Sequence, residues 1–295
     1  MQLRKLIVVT GIATGHLSGQ LYDGEIRSGG IGVLQQAYSH DLHGTVSVGI
    51  AISEGIVLAA DSRMTTNTRV ISDNASKLFD VGRIGIATYG QAFLERRNLA
   101  SWVDDFRPQH QALNIERFAR EFSDFIGIAY DRQFPQTAAI RPALGFLIAG
   151  YDDLHVGRLM QVDFPDRRQP ALRFSTQATG AQWAGNTDVI SRLVLGFDPR
   201  IGTVPPLDGL TPEERDAFRG RLNTIQYNIP FDALTLQDGI DLALSLVRTT
   251  VEMQRFADGT IGAPGQIPSV GGAVDVLVIT PFELRWIRRK ELKVE

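Results

Sequence analysis

Thr45 follows Gly44 directly and heads the alternating apolar run Val46-Ser47-Val48-Gly49-Ile50-Ala51-Ile52. Asp61 stands 16 residues beyond it and Lys77 stands 32 residues beyond it (45 to 61, 45 to 77). A hydroxyl, a carboxylate and an ammonium group are the parts of a nucleophilic hydrolase, provided the hydroxyl has a base. A threonine hydroxyl is a poor nucleophile until its proton is removed. When threonine is the first residue of a chain, its own α-amine, which ordinarily titrates near about 8, lies close enough to act as that base. A lysine held against the site as a cation lowers the amine's pKa and stabilises developing negative charge. An aspartate beside the lysine keeps it charged and oriented. This chemistry requires a free amine at Thr45, so residues 1–44 must be cut away. Each residue also has a plain structural reading. Gly-Thr can simply open a strand, Asp61-Ser62-Arg63 can be a turn with a surface ion pair, and Lys77 can be a solvated side chain.

The elements that must position these groups follow from periodicity. Val46–Ile52 and Ile56–Ala60 read as strands joined by a tight turn at Ser53-Glu54-Gly55, and Ile84–Tyr89 reads as a buried strand. Gln91–Phe106 reads as a helix whose apolar face carries Phe93, Leu94, Leu99, Trp102 and Val103, with Glu95-Arg96-Arg97 on a solvated face. A second helix spans about Asn114–Arg132. Strands follow at Ala143–Ala149, His155–Val162 and Ala171–Ser175, then a helix near Ala184–Gly196 and a Pro/Gly-rich loop over 198–211. Thr211-Pro212-Glu213-Glu214 has the features of a helix start. A long helix near Leu234–Phe256 leads to a glycine-rich loop and the strands Val274–Ile279 and Leu284–Ile287. Grouped strands and grouped helices favour an α+β layered sandwich. Residues 1–44 are rich in glycine and lack sustained periodicity apart from a strand-like Leu6–Thr10. They are expected to form a propeptide or extension ahead of one domain over 45–295.

The run Thr45–Ile50, then Gly55–Arg63, then Asn74-Ala75-Ser76-Lys77-Leu78-Phe79 and Gly85-Ile86-Ala87 to Gly90, resembles the start of mature proteasome β-subunits, including bacterial-type homologues. The resemblance is strongest over 45–90 and fades through Gly145–Asp152 and Gly271–Val276. It implies a four-layer αββα sandwich of two antiparallel sheets between helix layers, the N-terminal-nucleophile hydrolase fold. It implies Thr45 as nucleophile, Asp61 and Lys77 as its partners, and Gly90 as a backbone N–H donor to an oxyanion hole. Self-cleavage between Gly44 and Thr45 is implied too, the Thr45 hydroxyl attacking the preceding carbonyl and the ester then hydrolysing. The expected activity is that of a threonine endopeptidase acting on a peptide or unfolded-protein substrate, assembled as a homo-oligomeric ring and fed by an unfoldase of unknown identity. Two other readings share this fold: an amidase or transpeptidase acting on a specific small amide or peptide, and an unprocessed, non-catalytic scaffold.

The resemblance also marks departures. The family's supporting serine maps to Ala181, and its later Arg-Asp and Ser-Gly-Gly elements map to Arg255-Phe256 and Val270-Gly271-Gly272, with Asp258 and Ser269 as nearby substitutes. Its specificity pocket maps to Met64, Ala75, Thr88 and Ala92, an uncharged set suited to an apolar side chain.

Composition excludes several other classes. With 43% hydrophobic and 21% charged residues the chain can bury a sizeable core, and a formal charge of -3 gives no electrostatic case for nucleic acid or an anionic membrane. No apolar stretch approaches the roughly 20 residues that span a bilayer. With no cysteine, disulfides and thiolate chemistry are excluded, and a cytoplasmic location is expected. His16, His40, His43, His110 and His155 lack metal-ligand spacing, so no metal or other cofactor is expected. Val8–His16 suggests a phosphate loop but lacks the Gly-Lys-Ser/Thr ending.

Overall fold

A computed structural model describes residues 44–66, 69–111, 114–203, 205, 207–260 and 263–291. The segment 1–43, with the strand-like Leu6–Thr10 and the glycine-rich run, lies outside the described residues. Two five-stranded antiparallel sheets form the centre. The first has the order β12 (Gly180–Gly185), β1 (Val46–Ile52), β2 (Gly55–Ala60), β15 (Asp275–Ile279), β16 (Leu284–Arg288). The second runs β11 (Arg167–Ser175), β10 (Gly157–Phe164), β9 (Leu144–Tyr151), β6 (Ile84–Gly90), β5 (Leu78–Val81).

Strand β1 is buried at every position because both of its faces are covered. Val46, Val48, Ile50 and Ile52 pack against helix Leu236–Phe256, where Ile240, Ala243, Leu246 and Val247 meet them. The alternate positions face the second sheet: Ala51 joins Leu58, Ala87, Leu147, Leu159 and Leu277, and Gly49 leaves room for the methyls of Leu159. Helices Leu99–His110 and Ile115–Gln133 cover the outer face of the second sheet through Ile84, Ile86, Phe146, Ile148 and Val162. Helix Asp188–Leu195 adds Ile190 to the opposite layer. The result is the expected four-layer αββα sandwich.

Several elements differ from expectation. Leu78–Val81 is a strand, as are the short pairs Met64–Thr65 with Val70–Ser72 and Gly259–Thr260 with Ala263–Pro264. Residues 91–98 are not helical: Phe93–Leu94 pairs with Arg97–Asn98 around Glu95 and Arg96, both at positive φ, and Asn98 caps the helix that starts at Leu99. Glu95-Arg96-Arg97 therefore sits in a hairpin, with Glu95 paired to Arg132 and Arg97 paired to Asp105 over the Trp102 ring. Ala184 and Gly185 end a strand, because pairing with β1 over 180–185 takes precedence, and the helix begins only at Asp188. Thr211 caps its helix through a reciprocal bond with Glu214, and the helix it starts, Pro212–Leu222, buries no residue.

An aromatic cluster ties the helix layer to the second sheet. Phe122 lies 5.2 Å from Phe106 and 5.0 Å from Phe146, both in edge-on geometry. Phe122→Ala should destabilise the fold by roughly 3–5 kcal/mol, read from denaturant unfolding of the full chain.

Candidate active site

Thr45 precedes β1 at one end of the sandwich. Its backbone carbonyl accepts the Asn186 N–H at 2.7 Å, and Gly185 adopts positive φ because a Cβ there would meet that carbonyl at 2.1 Å. Gly44 also has positive φ, 107°, and a Cβ on it would stand 2.2 Å from the Ser269 carbonyl oxygen. Only glycine fits this junction. The Thr45 side chain is buried, and its hydroxyl donates to the Gly44 carbonyl oxygen at 2.5 Å.

Asp61 comes from the end of β2, in the same sheet. It is fully buried and takes four donors. Oδ1 accepts the Val46 N–H at 2.9 Å and the Lys77 ammonium at 2.8 Å; Oδ2 accepts the Arg63 N–H at 3.0 Å and the Gly271 N–H at 2.9 Å. Lys77 arrives from the second sheet, just before β5, where its carbonyl accepts the Thr88 N–H at 2.9 Å. Its buried Nζ donates both to Asp61 and to the Gly44 carbonyl oxygen, the latter at 2.5 Å. Burial pushes the Lys77 pKa down, and Asp61 opposes that shift without cancelling it. The structure thus brings Thr45, Asp61 and Lys77 together at the bond expected to be cut.

Gly90 closes β6 at this same end, since its neighbour Tyr89 lies 3.5 Å from a Cβ built on Gly185. Its φ of 83° is tolerated only by glycine, because a Cβ would meet the Ala143 carbonyl at 2.2 Å. Of the expected pocket residues, Thr88 is buried beside Lys77, whereas Met64, Ala75 and Ala92 are half-buried. Ala75 donates its N–H to the Ser62 carbonyl, which keeps it next to the Asp61 corner.

Of the supporting residues named from the sequence, Ser269 stands at the Gly44–Thr45 junction, and Asn186 and Gln254, which the sequence did not single out, join it. Ala181 pairs with Ile50 inside the first sheet and packs against the apolar layer, away from Thr45. Phe256 is an exposed side chain under the Arg255 guanidinium, and Val270 is buried in the same apolar layer as Ala181. Asp258 lies in the following hairpin segment, its backbone carbonyl accepting the Gly265 N–H. Asn186 meets Thr45 through its backbone N–H, and the Ser269 carbonyl lies against Gly44. The Asn186 side-chain amide donates to the Ser269 hydroxyl, and Gln254 Oε1 accepts the N–H groups of Ser269 at 2.9 Å and Val270 at 3.0 Å. Arg63 completes the arrangement. It forms a two-point ion pair with Asp73 and donates to the Pro268 carbonyl, and its guanidinium packs against Gly271. Residue type alone does not single out Asn186 or Gln254, whereas Ser269 beside Gly271-Gly272 is visible in the sequence.

Residues 42–165 match the family model described as proteasome subunit. That stretch carries Thr45, Asp61, Lys77 and Gly90 but not Asn186, Gln254 or Ser269. The chain is 30% identical over 119 residues to a proteasome subunit alpha of Methanobrevibacter smithii, covering 38% of this chain and 45% of that one. It is 29% identical over 117 residues to a proteasome subunit alpha 2 of Haloarcula marismortui, covering 37% and 45%. The chain therefore spans about half the length of the curated relatives it matches. Among the described residues, no helix is long and apolar enough to cross a membrane.

Because all four donors to Asp61 need an acceptor, Asp61→Asn must turn an NH₂ group toward at least one of them. The substitution should destabilise the fold by roughly 3–5 kcal/mol in denaturant unfolding, since it also leaves Lys77 buried without its counter-charge.

Proposed function

We propose that this chain is a threonine peptidase of proteasome β type that releases its own nucleophile by cutting between Gly44 and Thr45. The observation that carries the reading is the Gly44 carbonyl oxygen, which receives the Lys77 ammonium and the Thr45 hydroxyl at 2.5 Å each. Attack of Thr45 Oγ1 on the Gly44 carbonyl carbon would place negative charge on that oxygen, where a desolvated ammonium already points. Collapse breaks the C–N bond, and the hydroxyl proton passes to the departing Thr45 nitrogen. Water then hydrolyses the Gly44–Thr45 ester. The released α-amine serves as base for later substrates, with Gly90 N–H in the oxyanion hole and Met64, Ala75, Thr88 and Ala92 lining an apolar pocket. The domain starting at Thr45 would assemble as a homo-oligomeric ring and take peptides or unfolded protein as substrate. We place this activity in the cytoplasm.

A second reading, a non-catalytic scaffold that keeps residues 1–44, is favoured by the alpha designation of both relatives. Against it stands the fully buried Asp61 with Lys77, an arrangement a scaffold has no use for.

Intact mass and N-terminal sequencing of the purified full chain separate the readings. The wild type should yield a product of 251 residues (295 − 44) beginning at Thr45, and Thr45→Ala should remain at full length. A folded wild-type chain that stays uncut overturns the peptidase reading. Covalent modification of Thr45 by an epoxyketone would separate a peptidase from a narrow amidase, and a profile preferring Arg or Asp at the cleaved position would contradict the apolar pocket.

The pH dependence of cleavage follows from Lys77. The reactive form is the cation, and burial holds its pKa below the ordinary lysine value. The cleavage rate should therefore fall along an alkaline limb centred below that of a free lysine, measurable by intact mass over a pH series. Lys77→Met should abolish cleavage altogether.

A further inference from the structure

Beneath the Asp61–Lys77 pair lies a second buried ion pair from the far end of the chain. Lys290, two residues past β16, donates its backbone N–H to Asp275 Oδ1 at 2.7 Å and its ammonium to Asp275 Oδ2. The two side chains are only 10% and 5% exposed. The same ammonium donates to the Ser62 hydroxyl at 3.1 Å, and that hydroxyl donates to the Ala273 carbonyl at 2.7 Å. Ser62 directly follows Asp61. Its N–H donates to the Gly271 carbonyl and its carbonyl accepts the Ala75 N–H, both at 2.9 Å. Gly271 in turn donates its N–H to Asp61. Asp275 opposes Ala60, the residue before Asp61.

We infer that Lys290 is a positioning residue for the nucleophile: it clamps Ser62 and Asp275, and so holds the Asp61 carboxylate and the Gly271 N–H in register with Lys77. The segment that follows β16 is then part of the site. An ion pair whose role was to anchor the last strand would need only Asp275; the additional bond to Ser62 connects it to the catalytic corner. The charged groups around Lys77 are Asp61, Arg63 with its partner Asp73, and Lys290 with its partner Asp275. Among them Lys290 and Arg63 disfavour the Lys77 cation. Removing Lys290 thus has two separable effects: Asp61 loses its brace, and Lys77 loses a repelling neighbour.

This inference rests on the peptidase reading, and its test keeps the two apart. In the full chain, Lys290→Gln should slow cleavage before Thr45 by about tenfold, a loss of about 1.4 kcal/mol of transition-state stabilisation, and move the alkaline limb to higher pH. Lys290→Arg, which restores a cation and donor, should recover most of the rate. A merely structural Lys290 would lower the melting temperature without moving the limb. In a Thr45→Ala background, NMR titration of the Lys77 amine reads the same interaction with no turnover, and Lys290→Gln should raise its midpoint. An uncut wild type would overturn the peptidase reading while this titration still decided the role of Lys290. An unchanged Lys77 midpoint overturns the inference. So does failure to fold of both Lys290→Gln and the volume-keeping Lys290→Met, which would make the residue purely structural.

Discussion

The arrangement depends on one buried carboxylate. Asp61 is fully buried, and its carboxylate accepts three backbone N–H groups and one ammonium. Those donors come from the start of β1, the turn after β2, the loop before β15 and the edge of the second sheet. Satisfying one carboxylate therefore fixes four chain segments relative to one another. The Lys77 side of this pair does not repay its burial in stability. Its folded pKa is depressed, so its favourable contribution is present above the unfolded lysine pKa and is lost as pH falls through the folded value. A buried pair kept against that cost is a candidate for chemical use.

The four-layer fold explains how such a site forms at one end. Thr45 and Asp61 belong to the first sheet and Lys77 to the second, so they meet only when the sheets pack face to face through Ala51, Leu58, Ala87, Leu147 and Leu277. Close approach at that end is secured by absent side chains. Gly44, Gly90 and Gly185 each take positive φ with a backbone carbonyl where a Cβ would stand. Gly272 does the same against the Asp73 carbonyl, which draws the 269–272 loop onto the segment that Arg63 already grips through Asp73. The second helix layer, through Leu236–Phe256, supplies Gln254 to hold that loop from the other side.

Much of this was legible in the sequence, for identifiable reasons. Strands buried on both faces read as dense apolar runs, so Val46–Ile52 and Ile84–Tyr89 are visible, and the spacing of Thr45, Asp61 and Lys77 follows from the strands they flank. Residues 91–98 misled because Phe93, Leu94 and Leu99 fit a helical face. What decides their conformation is the left-handed backbone at Glu95 and Arg96, which neither residue type announces. Ala184-Gly185 was lost to a helix because strand pairing with β1 is a tertiary interaction with no local signal. Asn186 and Gln254 are not singled out by the sequence for a related reason. A serine motif matched by position falls on Ala181, whereas the residue whose N–H meets the Thr45 carbonyl is Asn186, beyond the strand end; its partner Ser269 is 83 residues away in sequence, and Gln254, which accepts from Ser269, is 68 residues away (186 to 269, 186 to 254).

That substitution bears on the chemistry. Asn186 and Gln254 present amides around Ser269, and the one cation described against this loop, Arg63, is paired with Asp73. On the opposite side of Thr45, Asp61 is already occupied by its four donors. An α-amine released at Thr45 would then face the Lys77 cation without a free carboxylate to stabilise its own protonated form. Both conditions favour the neutral amine, which is the form that can accept the hydroxyl proton. The amide network is therefore compatible with a working nucleophile. Its function would be to orient Thr45 through the Asn186 N–H on its carbonyl, leaving control of the proton to Lys77 and Asp61.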